Sequence, residues 1–189
     1  LETKVEDPGY LRAASGKVRH FLLPSNVHGL SPRLKNAIIS AQKRESRNFY
    51  MQESVAATAL RATYWLLQFK RKYGLVGVPI TVLYDSGVTM CPFEERAIWA
   101  KAHELFMFRA NGWEYHGRVL TYPIDTEFNA GWSMPYKATI DQKHIGPLLE
   151  NENFCPTPER LRPVETWLDD SIAFYTANTR ASIEPKHFV

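Results

Sequence analysis

Two runs of β-branched and apolar residues, Val78-Pro79-Ile80-Thr81-Val82-Leu83 and Gly87-Val88-Thr89-Met90, flank a polar break at Tyr84-Asp85-Ser86. Side chains of this kind fit a pleated, half-buried surface, and so short a break between them closes a hairpin. The reading is a strand over 79–84, a turn at Asp85 and Ser86, and a short strand to Met90. The segments on either side have helical period. Before the hairpin, Val55, Ala59, Ala62, Leu66 and Phe69 line one face of a helix predicted from about Met51 to Tyr73. Gly74 stops it, and Lys70, Arg71 and Lys72 complement its negative end. After the hairpin, Pro92 opens a helix reaching Asn111, with Glu94 and Glu95 at its positive end.

Other elements follow from local signals. Ser15-Gly16-Lys17 sits between Gly9-Tyr10-Leu11-Arg12 and Val18-Arg19-His20-Phe21, so a hairpin is predicted within residues 10–23. Ser31 followed by Pro32 is an N-cap with a first-turn proline, and Leu34, Ile38, Ile39 and Ala41 carry a helix to about Ser46. Gly117 precedes a last strand over Val119 to Phe128, ending at Asn129-Ala130-Gly131-Trp132. The fold class expected is α+β, a small antiparallel sheet with the Asp85 hairpin packed on long helices. From Met134 the composition changes: prolines 135, 147, 156, 158 and 163 punctuate a polar stretch, and then Val164, Trp167, Leu168, Ile172 and Tyr175 recur at helical spacing. Two parts are expected, residues 1–133 and a helical C-terminal extension over 134–189 that docks on a partner chain.

Composition bounds the function classes. The chain has 189 residues, 44% of them hydrophobic, enough for a sizeable core. Its net charge is only +3, so affinity for phosphate would have to come from local clustering of cations. Cys91 and Cys155 are the only cysteines, without the spacing of a disulfide framework or a zinc site, and reduced thiols in the cytoplasm are expected. The histidines, His20, His28, His103, His116, His144 and His187, lack metal-ligand spacing, and ordinary core or surface roles are expected of them. No signal peptide is visible, no apolar run approaches the eighteen or so residues that span a bilayer, and no membrane association is expected. The chain begins at Leu1, pointing to processing or a larger parent.

Two sets of residues carry candidate chemistry. Arg44, Asn48 and Gln52 stand four apart on a helix, so they form a comb along one face, thickened by Arg33, Lys43 and Arg47. Polar residues at that spacing commonly make a solvated face. They are also donors that reach purine N3 and pyrimidine O2, acceptors common to every Watson–Crick pair in the minor groove. Asp85 at a hairpin tip is first of all a good turn former. Its apolar frame, however, would hold the carboxylate still, as metal chemistry requires. Two-metal phosphoryl chemistry needs a second carboxylate. Asp125 and Glu127 alternate on one strand face and are an in-chain possibility beside solvated strand residues; Asp169 and Asp170 read as a solvated helix face.

Taken together, order and spacing resemble the C-terminal palm portion of family A (polymerase I type) DNA polymerases, particularly those of bacteriophages. Gly9-Tyr10-Leu11 and the hairpin through Leu23-Pro24 look like the segment that follows the family's fingers helices. Arg44-x-x-x-Asn48-x-x-x-Gln52, followed by Ala56-Ala57, resembles its helix tracking primer and template. Leu83-Tyr84-Asp85-Ser86 resembles motif C, usually His-Asp-Glu, whose aspartate binds a catalytic metal. Tyr122-Pro123-Ile124-Asp125-Thr126-Glu127 with Trp132 is similar to the closing strand and terminal tryptophan.

The resemblance implies that Asp85 binds Mg²⁺, and that Arg44, Asn48, Gln52 and Tyr84 contact DNA. Tyr84 replaces the usual histidine and Ser86 the usual second acid, so Asp85 alone is carried over as a ligand. Motif A and the fingers helix that grips the dNTP are absent from this sequence. A split polymerase is therefore implied: a partner chain supplies motif A, fingers, thumb and exonuclease, the two Mg²⁺ ions are shared across the boundary, and primer-template DNA and dNTP are the substrates. The alternative is a non-catalytic module that keeps a palm-like surface for DNA binding or scaffolding. A metal-dependent nuclease using Asp85, Asp125 and Glu127 ranks behind both.

Overall fold

The computed structural model describes residues 9–21, 29–83, 86–115, 117–121, 127–133, 136–141, 145–147, 149 and 157–183. Their order is β1 (Tyr10–Arg12), β2 (Val18–His20), α1 (Pro32–Tyr73), β3 (Val78–Leu83), β4 (Ser86–Met90), a 3₁₀ turn at Phe93–Glu95, α2 (Arg96–Ala110), β5 (Trp113–Tyr115), β6 (Arg118–Leu120), β7 (Phe128–Ser133), β8 (Tyr136–Ile140) and α3 (Pro158–Ile183). The α+β class expected from the sequence is what is found. Among the described residues the strands pair as four separate two-stranded ladders, β1 with β2, β3 with β4, β5 with β6 and β7 with β8.

The two helices predicted over 31–46 and 51–73 are one. Ser31 caps as expected, its carbonyl accepting from the Lys35 amide and its hydroxyl lying 3.4 Å from the Leu34 amide. Gly74, at φ 66°, ends the helix. Between them stands no glycine, and no proline after the first turn; the polar residues that suggested a break are absorbed internally. The hydroxyls of Ser46, Ser54 and Thr58 donate to the carbonyls of Lys43, Tyr50 and Ser54 at 2.9, 2.6 and 2.9 Å. A hydroxyl satisfied within its own helix can be buried without breaking it. The strand expected over 119–128 also differs: β6 ends at Leu120, residues 122–126 lie outside the described set, and Asn129-Ala130-Gly131-Trp132 fall inside β7, which pairs antiparallel with β8.

The chain divides into two compact units, and α1 contributes residues to each. The first comprises Leu1–Thr58 with Trp113–Val119. Its core is small: Leu11 and Ala13 from the β1–β2 hairpin pack with Phe49, flanked by Phe21 and Tyr50. Trp113 is buried there too, its indole N–H donating to Thr58 Oγ1 at 3.0 Å.

The second unit comprises Ala59–Gly112 with Leu120–Val189 and holds the main core. Ala62, Leu66 and Phe69 of α1 meet Ile98, Trp99, Ala102, Leu105, Phe106 and Phe108 of α2, together with Leu161, Val164, Leu168 and Ile172 of α3. Of the α3 stripe read from the sequence, Val164, Leu168 and Ile172 are buried within this chain, and Trp167 and Tyr175 are partly buried against the same cluster. Inside the layer, Lys101 and Glu104 form a fully buried ion pair at 2.5 Å, and Lys101 Nζ also donates to the Pro147 carbonyl at 2.7 Å. That extra acceptor matters, because a charge in a protein interior needs its remaining donors satisfied.

Candidate nucleic-acid interface

The α1 segment of the first unit carries the predicted comb. Arg44, Asn48 and Gln52 are all exposed, as are Arg33, Lys43, Arg47 and Met51. Ser46, Phe49 and Ser54 are buried, so the comb faces away from the hydrophobic seam. The helix's acids are drawn off by the β1–β2 hairpin. Lys17 Nζ lies 2.9 Å from Glu53, whose other carboxylate oxygen accepts from Ser15 Oγ at 3.2 Å, and Arg19 pairs with Glu45. Such partly exposed pairs add little stability, about 0–1 kcal/mol each. Their effect on the surface is larger: with Glu45 and Glu53 held by hairpin cations, Arg33, Lys43, Arg44 and Arg47 dominate the local field.

The second unit carries the Asp85 hairpin. β3 and β4 pair antiparallel from Val78↔Met90 to Leu83↔Ser86, with a register shift between Pro79 and Thr81. Tyr84 and Asp85 fall between the strands in sequence and lie outside the described residues, as does Asp125. The stem itself is anchored at several points. Gly87 lies so close to the His103 imidazole that an added Cβ would meet its Cε1 at 2.7 Å, and Thr89 Oγ1 is 2.6 Å from His103 Nε2. Gly77 lies similarly against the Trp99 indole. Burial pushes the His103 pKa from 6.5 down to about 4, so the ring under β4 is neutral at pH 7.

A further anchor is a pair of opposite charges at the connector entering β3. Lys70 Nζ donates to the carbonyls of Leu75, Val76 and Gly77 at 2.7, 3.0 and 2.8 Å. The fully buried Glu95 carboxylate accepts from the amides of Val76 and Gly77 and from the Trp99 indole, each at 2.8 Å. Burial alone would raise the Glu95 pKa. The hydrogen bonds from Val76, Trp99, Gly77 and the Tyr175 hydroxyl outweigh it, and the net shift is downward. From the sequence, Glu95 belongs to the positive end of α2; its role as the acceptor for the β3 connector had no sequence signal.

No protein-family model, curated protein or solved structure matches this chain.

The remaining candidate acids have mundane surroundings. Glu127 is exposed and accepts from Asn129 Nδ2 at 2.8 Å, while Asn129 Oδ1 accepts from its cross-strand partner Thr139. Asp169 accepts from the Tyr73 hydroxyl at 2.7 Å, and Asp170 is exposed. Among the described residues no three His, Cys, Asp or Glu side chains gather as a metal would require. None of the described helices is long and apolar enough to cross a membrane.

Proposed function

We propose that this chain is the C-terminal palm portion of a family A-like DNA polymerase, acting as one subunit of a split enzyme. The observation that carries the reading is the exposed comb of Arg44, Asn48 and Gln52, set opposite the buried seam of α1 and cleared of competing acids by the β1–β2 hairpin. Long donors on a rigid helix, in a positive field, suit the floor of a duplex minor groove. They test pairing geometry without reading sequence.

A further observation supports the split. The β3–β4 ladder is covered on one side through Gly87, Thr89 and His103, whereas Val78, Ile80 and Met90 are 41, 59 and 67% exposed. Among the described residues no third strand joins this ladder. A two-stranded ladder with apolar side chains in water is completed by further strands or by another apolar surface. A partner chain carrying the rest of a palm sheet would supply them.

In this reading Asp85 is the single carboxylate the chain offers to Mg²⁺, and a motif A aspartate from the partner supplies the other. The ions, when bound, neutralise charge developing on the transferring phosphate. What this chain contributes is otherwise positional: α1 donors orient primer and template, and the Lys70–Glu95 clamp fixes where β3 enters the hairpin.

The test is co-purification followed by primer extension. A partner bearing motif A and a fingers helix should co-purify. With it, Asp85→Asn should lower turnover at least about 10²-fold, the scale for removing one electrostatic stabiliser of a transition state, without changing duplex affinity. Extension at the parent rate by that variant would remove Asp85 from the reaction. Ser86, where the resemblance calls for an acid, favours a second reading, a DNA-binding module without catalysis. Such a module would bind duplex as a stable, homogeneous chain and would not support extension.

A further inference from the structure

The second unit contains a groove of about 560 Å³ between α2 and α3, whose lining includes Glu94, Trp167, Asp170, Phe174 and Tyr175. Its chemistry is distinctive. Trp167, Phe174 and Tyr175 give it aromatic walls, Glu94 and Asp170 give it two carboxylates, and no described lysine or arginine lines it. Neither acid takes part in an ion pair among the described residues, in contrast to Glu45, Glu53, Glu104 and Glu165, each of which is matched to a cation. The aromatic walls are held in place. Gly146 lies so close to the Trp167 ring that a Cβ there would approach it to 2.7 Å, and the Tyr175 hydroxyl is bonded to Glu95. Phe174 by contrast is 74% exposed, a large apolar ring turned to solvent.

We propose that this groove docks a basic segment of another polypeptide, with an arginine or lysine stacked on the aromatic walls and its charge met by Glu94 and Asp170. Aromatic faces attract cations through their quadrupole, and guanidinium adds planar stacking, so aromatic rings beside carboxylates select positive ligands over neutral or acidic ones. The open form of the groove argues for a polypeptide over a small organic cation. A small-molecule site encloses most of its ligand, whereas this groove is open along Phe174 and leaves that ring covered only if the occupant extends beyond the cation itself. Such docking does not depend on the polymerase reading, and its test uses neither DNA nor extension.

The experiment titrates the full 189-residue chain with three probes: a fluorescent peptide of alternating leucine and arginine, its glutamate counterpart, and tetramethylammonium. The arginine peptide should bind and weaken with salt, and the glutamate peptide should not bind. Phe174→Ser should lower affinity about three- to fivefold, the scale of one exposed cation–π contact, and Asp170→Asn about two- to fivefold, the scale of one exposed ion pair. Both side chains are exposed, so both variants should keep the parent circular dichroism and melting curve. Equal affinity of parent and both variants for the arginine peptide would overturn the assignment. So would equal binding of the glutamate peptide, or full displacement of the arginine peptide by tetramethylammonium, which would make the groove a small-cation pocket.

Discussion

His103 shows how one side chain can couple the hairpin stem to pH. Its pKa in the folded chain is about 4, against 6.5 without burial, so the unfolded chain binds the proton more readily. Stability from the neutral ring is complete above pH 6.5, falls as pH drops toward 4, and levels off below that. At about 1.4 kcal/mol per unit the loss is on the order of 3 kcal/mol. Urea unfolding across that window should show the slope, and His103→Gln should flatten it; an unchanged slope would place the proton elsewhere. Glu95 works in the same direction at lower pH, since its depressed pKa means that its contribution is present above the ordinary carboxylate range and lost as acid protonates it. Glu95→Ala leaves buried donors on Gly77 and Trp99 without an acceptor, and should cost roughly 2–4 kcal/mol, read as a lower urea midpoint at unchanged m-value. Neither role was legible in advance. A lone histidine and a helix-start glutamate have local explanations that suffice, and their actual partners, Thr89 and the 76–77 amides, are fixed by packing that no short window of sequence contains.

At the scale of elements, what was legible was what depends on local pattern. The β1–β2 and β3–β4 hairpins, the cap at Ser31, the stop at Gly74 and the helix after Pro92 follow from turn chemistry and periodicity, and all are present. The break expected near Ser46 is absent because a serine hydroxyl that bonds one turn back is compatible with a buried helix. The exposure of Arg44, Asn48 and Gln52 was implied by their spacing, whereas the withdrawal of Glu45 and Glu53 by Arg19 and Lys17 needed the hairpin's position. The comb's contribution can be measured as an element. If α1 tracks primer and template as proposed, Gln52→Ala should weaken primer-template binding by about 1 kcal/mol, near fivefold, equally for different sequences. A sequence-dependent loss would contradict a role in sensing pairing geometry.

For the molecule as a whole, net charge of +3 predicts weak attraction for nucleic acid, while the clustered cations on α1 predict a concentrated one. On the proposed reading, duplex binding should therefore fall steeply with salt. Replacing Arg33, Arg44 and Arg47 together by glutamine should lower the log–log salt slope by up to about 0.9 for each phosphate no longer neutralised. An unaltered slope would assign phosphate neutralisation to other cations. The clamp of Lys70 and Glu95 on the α1–β3 connector has a practical corollary for engineering. The backbone amides and carbonyls of Leu75, Val76 and Gly77 are all engaged, so a label or fusion spliced between Gly74 and Val78 would unseat the hairpin, whereas the solvent-facing bend at Gly117 would accept the same insert with the stem intact.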